Sequence, residues 1–233
     1  MIDYFKYGPL RFELTTKADF IEKRLIMRQK LLTMLAMQDS MNTKVHPEWI
    51  TQNYEWYRAV WIECGELMDH QGYKWWKKQV PDSEQVKLEI IDIWHFGMSA
   101  MFSEHADQEA IADSILADWK DIESEGMDVH AATEALASQC LLNKGFSAVY
   151  FWQLMDAAGL DFETLYVAYI GKNVLNFFRQ DNGYKDGSYI KEWDGREDNE
   201  HLVELSAALD SESEGFRDEL YTALHARYQS LCA

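Results

Sequence analysis

At 233 residues and 47% hydrophobic content, the chain has the material for a sizeable buried core and not the composition of a disordered segment. A formal net charge of -18 argues against a nucleic-acid polymer as partner, because neutralising phosphates needs basic patches. Three prolines, none beyond Pro81, and twelve glycines are too few for a many-turned β fold, so long helices are expected.

The first fifteen residues, with Gly8 and Pro9, read as an irregular arm. Thr16, with Asp19 three residues on, can cap a helix running to about Asn42. Its stripe Leu31, Leu35, Gln38, Asn42 starts apolar and ends in two amides. Each amide both donates and accepts, so the pair can read the edge of a pyrimidine; it can equally satisfy backbone groups where the helix ends. A loop at His46-Pro47 leads to a second helix over 54–70, and a connecting segment then runs to Pro81. Within it Trp75 and Trp76 sit between Lys74 and Lys77, either packed beneath lysine stems or free to stack on a base. Asp82 or Ser83 caps a third helix reaching about Ser103. Further helices are expected over 107–125, 129–142, 147–158 and 161–180. A turn-rich stretch follows, Asp181-Asn-Gly-Tyr-Lys-Asp-Gly-Ser-Tyr and then Trp193-Asp-Gly-Arg-Glu-Asp-Asn, before two last helices over 199–209 and 213–231. With no repeat and no linker, the reading is one all-α domain, a helical bundle spanning 1–233.

Two acidic pairs stand out. Glu63-Cys-Gly-Glu66 on the second helix and Glu89-Ile-Ile-Asp92 on the third each have i, i+3 spacing, which projects both carboxylates from one helical side. Most such pairs are ordinary solvated faces. Here Val60, Cys64 and Leu67 border the first and Val86, Ile90 and Ile93 the second, so the acids are expected to look inward. Four acids beside an apolar surface repel one another unless a cation lies between them, and an all-oxygen donor set suits Mg2+. A di-iron site would use paired Glu-x-x-His motifs. Only Asp92-x-x-His95 comes close, so His70 and His95 are read as supporting or core histidines.

Lys172, Asn176 and Arg179 fall at i, i+4 and i+7 and continue the stripe of Leu165 and Ala168, so a buried face turns basic at its end. Lys185 follows in the glycine-rich turn. Such a group suits phosphate oxygens, Arg offering a bidentate fork; the alternative is favourable placement at a helix C-terminus. Cys64, Cys140 and Cys232 are odd in number and lack zinc spacing, which suits a reducing cytoplasm. No apolar run reaches membrane-spanning length, and the N-terminus has no signal-peptide layout.

Glu-x-x-Glu followed on the next helix by Glu-x-x-Asp resembles the signature of the all-α nucleoside triphosphate pyrophosphatases. The segment from Gly171 to Tyr189, Gly195 to Asn199, and Trp56 through Lys77 with Tyr73-Lys-Trp-Trp-Lys narrow this to the dimeric dUTPases. The resemblance covers roughly 30–100 and 160–200. It implies an all-α homodimer that hydrolyses dUTP, with dUDP as a second substrate, to dUMP by water attack at the α-phosphorus. Glu63, Glu66, Glu89 and Asp92 would hold more than one Mg2+, Mn2+ being able to substitute, and Glu63, with Glu66 as runner-up, would activate the water. The resemblance further assigns Gln38, Asn42 and Trp75 to the base and Tyr184 to the deoxyribose. Lys172, Asn176, Arg179 and Lys185, with Lys191 and Asn199 as weaker candidates, would take the phosphates. Two alternatives are a dCTP or broader pyrophosphatase of the same superfamily and a non-catalytic nucleotide-binding helical protein.

Overall fold

The run 88–102 sets the architecture. Ile90, Ile91, Ile93, Trp94 and Met98 are all fully buried, and with Leu88, Ser99, Ala100 and Phe102, also buried, they occupy most of the circumference of a helix. A helix apolar around its circumference must lie inside the fold. The computed structural model, which describes residues 17–104, 107–211, 213 and 215–232, places this run in α3 (Ser83–Glu104). Around it pack α1 (Lys17–Val45), α2 (Trp56–Gln71), α4 (Gln108–Asp118) and α6 (Ala148–Ala157), while α5 (Val129–Asn143) packs on α2 and α6. A short 3-10 helix, Trp49–Gln52, turns the chain between α1 and α2. The expected irregular arm and the Thr16 cap lie outside the described residues.

The chain divides into two compact units, one ending at Leu165 and one starting at Tyr166, with the boundary inside α7 (Phe162–Asp181). The second unit adds a two-stranded antiparallel hairpin, β1 (Glu192–Trp193) and β2 (Arg196–Glu197), then α8 (Asp198–Ala207) and α9 (Phe216–Cys232). Its core gathers aromatic rings on Phe178, with Trp193, Tyr221 and Tyr228 at centroid separations of 6.0, 5.6 and 5.4 Å. Among the described residues the protein is all-α apart from this hairpin, as its sequence indicates. No helix among the described residues is long and apolar enough to cross a membrane.

Two elements depart from the sequence reading. The helix expected over 107–125 ends at Asp118. The buried Gln153 side chain of α6 takes over the backbone groups that follow: its Nε2 donates 2.8 Å to the Glu123 carbonyl, and its Oε1 accepts from the Glu125 N–H at 3.1 Å. A tertiary clamp has replaced helical bonds that local propensity would have made. The hairpin was read only as a turn. Asp194 and Gly195 both hold positive φ, 49° and 76°, which is the two-residue geometry that Asp-Gly favours between paired strands.

Gly97 is required for the α3 packing. A Cβ there would meet the Phe146 ring at 2.5 Å. Gly97→Ala is therefore expected to destabilise the protein by about 1–3 kcal/mol despite alanine's better helix propensity, read by denaturant unfolding. A neutral or stabilising result would show that the Phe146 ring moves aside at no cost.

Candidate functional site

On α2, Val60, Cys64 and Leu67 are buried and draw that face of the helix against α3 and α5. Glu63 neighbours this stripe and is half-buried. On α3, Glu89 is buried at 8% exposure and Asp92 is half-buried, carried inward by the apolar residues on either side. Ligand oxygens of Glu63, Glu89 and Asp92 lie within 4.8 Å of one another. Glu66 is exposed and stands outside this trio, because i+3 falls short of a full turn and rotates its side chain towards solvent. Its charge still acts on Glu63. His70, at the end of α2, brings Nε2 within 3.4 Å of Glu89 Oε1.

Burial, followed by the charges of Asp92, Glu66 and Glu89 and a hydrogen bond with Glu89, pushes the Glu63 carboxyl up to about 8. Three carboxylates with ligand oxygens this close together, one of them with a proton affinity raised by burial and by its neighbours' charge, fit a hard divalent cation.

The two amides of α1 face α3. Gln38 is 4% and Asn42 7% exposed, and both meet Ser99, which is fully buried. Gln38 Nε2 donates to Asn42 Oδ1 and to Ser99 Oγ, each at 3.1 Å. Asn42 Nδ2 donates to Ser99 Oγ at 2.9 Å, and Gln38 Oε1 lies 2.7 Å from His95 Nδ1. These amides therefore lie inside the protein and do not cap the helix. Trp75 is placed very differently, 90% exposed and edge-on to Trp76 at 5.6 Å. Its segment lines an open depression of about 660 Å3 with Tyr73, Lys74 and, from α5, His130 and Glu134.

In the second unit Lys172, Asn176 and Arg179 gather about Asp198 and Asn199. Lys172 is 2% exposed, and its Nζ donates to Asn199 Oδ1 at 2.9 Å. Arg179 offers its fork to Asp198, with Nε to Oδ2 at 2.8 Å and Nη2 to Oδ1 at 2.7 Å. Nη1 reaches Asn176 Oδ1 at 3.2 Å, and the guanidinium carbon stands 5.9 Å from the Tyr184 ring. Tyr189 donates its hydroxyl to Asp198 Oδ2 at 2.7 Å. Burial pushes the Asp198 carboxyl up, but hydrogen bonds and charge from Arg179, with help from Tyr189 and Lys172, outweigh it and hold the group below the usual carboxylate range. Lys191 pairs with Glu197 at 3.2 Å, and Lys185 is exposed.

A family model described as dUTPase matches residues 30–184, two-thirds of the chain. The chain belongs to the dUTPase family. A search of curated proteins finds no match. As a dUTPase the protein is an enzyme, a dUTP diphosphatase, and the non-catalytic alternative falls away. The family generally uses a divalent metal, which the carboxylate trio suits. The dUTPase match takes in Gln38, Asn42, the four acids, Trp75, Lys172, Asn176, Arg179 and Tyr184. Lys185, Lys191 and Asn199 lie beyond it.

Three residues in these networks are not singled out in the sequence, and a fourth has a different role there. Ser99 had a signal, being a polar residue inside the apolar run Phe96-Gly-Met-Ser-Ala-Met-Phe102, and His95 was read only as a core or supporting side chain. Asp198 and Tyr189 lie in the segments that carry the family resemblance, but no local pattern pairs Asp198 with Arg179, nineteen residues away, or with Tyr189.

Two outcomes follow from the electrostatics. A raised carboxyl pKa means the folded state binds the Glu63 proton more tightly than the unfolded chain does. Metal-free protein should thus lose stability on this group's account as pH rises from about 4.5 through about 8. Glu63→Gln should abolish that slope, and melting curves in EDTA should show the variant gaining on wild type across this interval. Parallel pH profiles would be the contrary result. In the second unit, Asp198→Ala strips the carboxylate from a guanidinium only 11% exposed and should cost about 3–5 kcal/mol in unfolding experiments, against about 1 kcal/mol for Tyr189→Phe.

Proposed function

We propose that this dUTPase cleaves dUTP to dUMP and pyrophosphate with Mg2+ as its metal, accepts dUDP as a second substrate, and works as a cytoplasmic homodimer. The observation that carries the metal assignment is the convergence of Glu63, Glu89 and Asp92 on one point. Glu66 completes the set from its rim, and its exposed carboxylate leaves room for more than one ion. When bound, the metal lowers the pKa of a coordinated water and offsets charge on the phosphoryl oxygens, and Mn2+ suits the same donors.

The chain's own groups divide the remaining work. Glu63 orients the attacking water towards the α-phosphorus and takes its proton, standing half-buried at the edge of the apolar stripe of α2. Glu66 is the second candidate, since it is exposed and stands outside the trio. Gln38 and Asn42 read the base, and the exposed Trp75 face offers it a stacking surface. Tyr184 packs beside the deoxyribose. Lys172, Asn176 and Arg179 take phosphate oxygens, with Lys185, Lys191 and Asn199 in support.

A deoxynucleotide panel with pyrophosphate release measured, with and without EDTA, tests this reading. Turnover of dUTP above dCTP, dTTP and the purines, abolished by EDTA and restored by Mg2+, is expected. Glu63→Gln should lower kcat by at least about a hundredfold while retaining helical circular dichroism. Activity in EDTA, or wild-type turnover by that variant, would refute the assignment. Preferential dCTP hydrolysis would instead favour the broader pyrophosphatase reading.

A further inference from the structure

We infer that Ser99 is a specificity-determining residue that acts through Gln38 and Asn42 by fixing which way their amides face. The inference rests on the reading that these two amides recognise the base.

The argument is one of proton inventory. Ser99 Oγ donates its only proton to the His95 carbonyl one turn earlier in α3, at 2.9 Å. Its lone pairs can then only accept, so whatever faces them must be N–H. Gln38 and Asn42 both approach that oxygen, at 3.1 and 2.9 Å, and both must therefore turn their NH2 groups towards it. Each amide oxygen is placed as a consequence. That of Gln38 meets His95 Nδ1, which must carry the proton, and that of Asn42 accepts from Gln38 Nε2. None of these groups is more than 7% exposed, so a flipped amide would set two acceptors against each other with no water to relieve them.

The orientation bears on the choice between bases. Uracil presents an N–H donor at N3 beside a carbonyl acceptor; cytosine presents an acceptor at N3 beside an amino donor. An amide held one way complements the first and, rotated by half a turn, the second. After its bonds within the network, Asn42 retains one N–H and one oxygen lone pair, the two-point edge this discrimination needs. A free amide would suit both bases. Ser99 holds it in a single orientation.

The decisive measurement is kcat/KM for dUTP and for dCTP in wild type, Ser99→Ala and Asn42→Ala, with melting curves confirming that the variants fold. Ser99→Ala should lower the dUTP-to-dCTP ratio by about tenfold, the worth of one lost hydrogen-bond preference. A purely structural role would depress both substrates alike and leave the ratio unmoved, and that outcome overturns the inference. Side-chain amide protons of Gln38 and Asn42, assigned in wild type by their loss on substitution, should exchange slowly with D2O. Rapid exchange overturns the lock even where Ser99→Ala fails to fold. An unchanged ratio in Asn42→Ala would instead remove the base-recognition reading beneath it.

Discussion

Carboxylates confined beside hydrocarbon are the constraint on which the first unit depends. α3 is buried on nearly every side, so Glu89 and Asp92 cannot retreat into water without pulling apolar residues with them. α2 contributes Glu63 from the margin of its own buried stripe. Mutual repulsion is left with two outlets, retention of a proton or capture of a cation. The first is visible in the high proton affinity of Glu63. The second suits the cleavage of a phosphoanhydride, and an arrangement that is electrostatically poor in isolation would become favourable with a metal bound.

Elsewhere buried polarity is handled by closing it on itself. Gln38, Asn42, Ser99 and His95 share one set of hydrogen bonds between two helices, and Arg179, Asp198, Tyr189 and Asn176 share another across α7, the loop before the hairpin and the start of α8. Closed sets of this kind stiffen what they include, because every member would lose a partner if one rotated. The acidic trio is the contrasting case, a set that a metal would complete.

The helices and the acidic motif were legible because both are local patterns. Periodicity and caps located α1 to α9 within a few residues, apart from the end of α4, and i, i+3 spacing drew attention to Glu63, Glu66, Glu89 and Asp92. What the sequence could not supply was depth. Spacing alone ranks Glu66 with Glu63, yet sixty degrees of helical rotation leaves one exposed and the other half-buried. It also could not supply partners across distance. Arg179 reads as a free fork for phosphate, whereas Asp198, nineteen residues on, faces that fork. The hairpin was missed for a different reason: two-residue strands are too short to show alternation, and only Asp194-Gly195 signalled them.

The Gln153 clamp carries an evolutionary consequence. Its amide grips the carbonyl of residue 123 and the N–H of residue 125, which are main-chain atoms that almost any amino acid supplies. The exposed side chains of residues 123 and 125 can therefore be exchanged with little penalty to the clamp. Adding or deleting a residue is another matter, since it would slide both grips off their marks at once. Proline at position 125 is barred as well, having no hydrogen to offer.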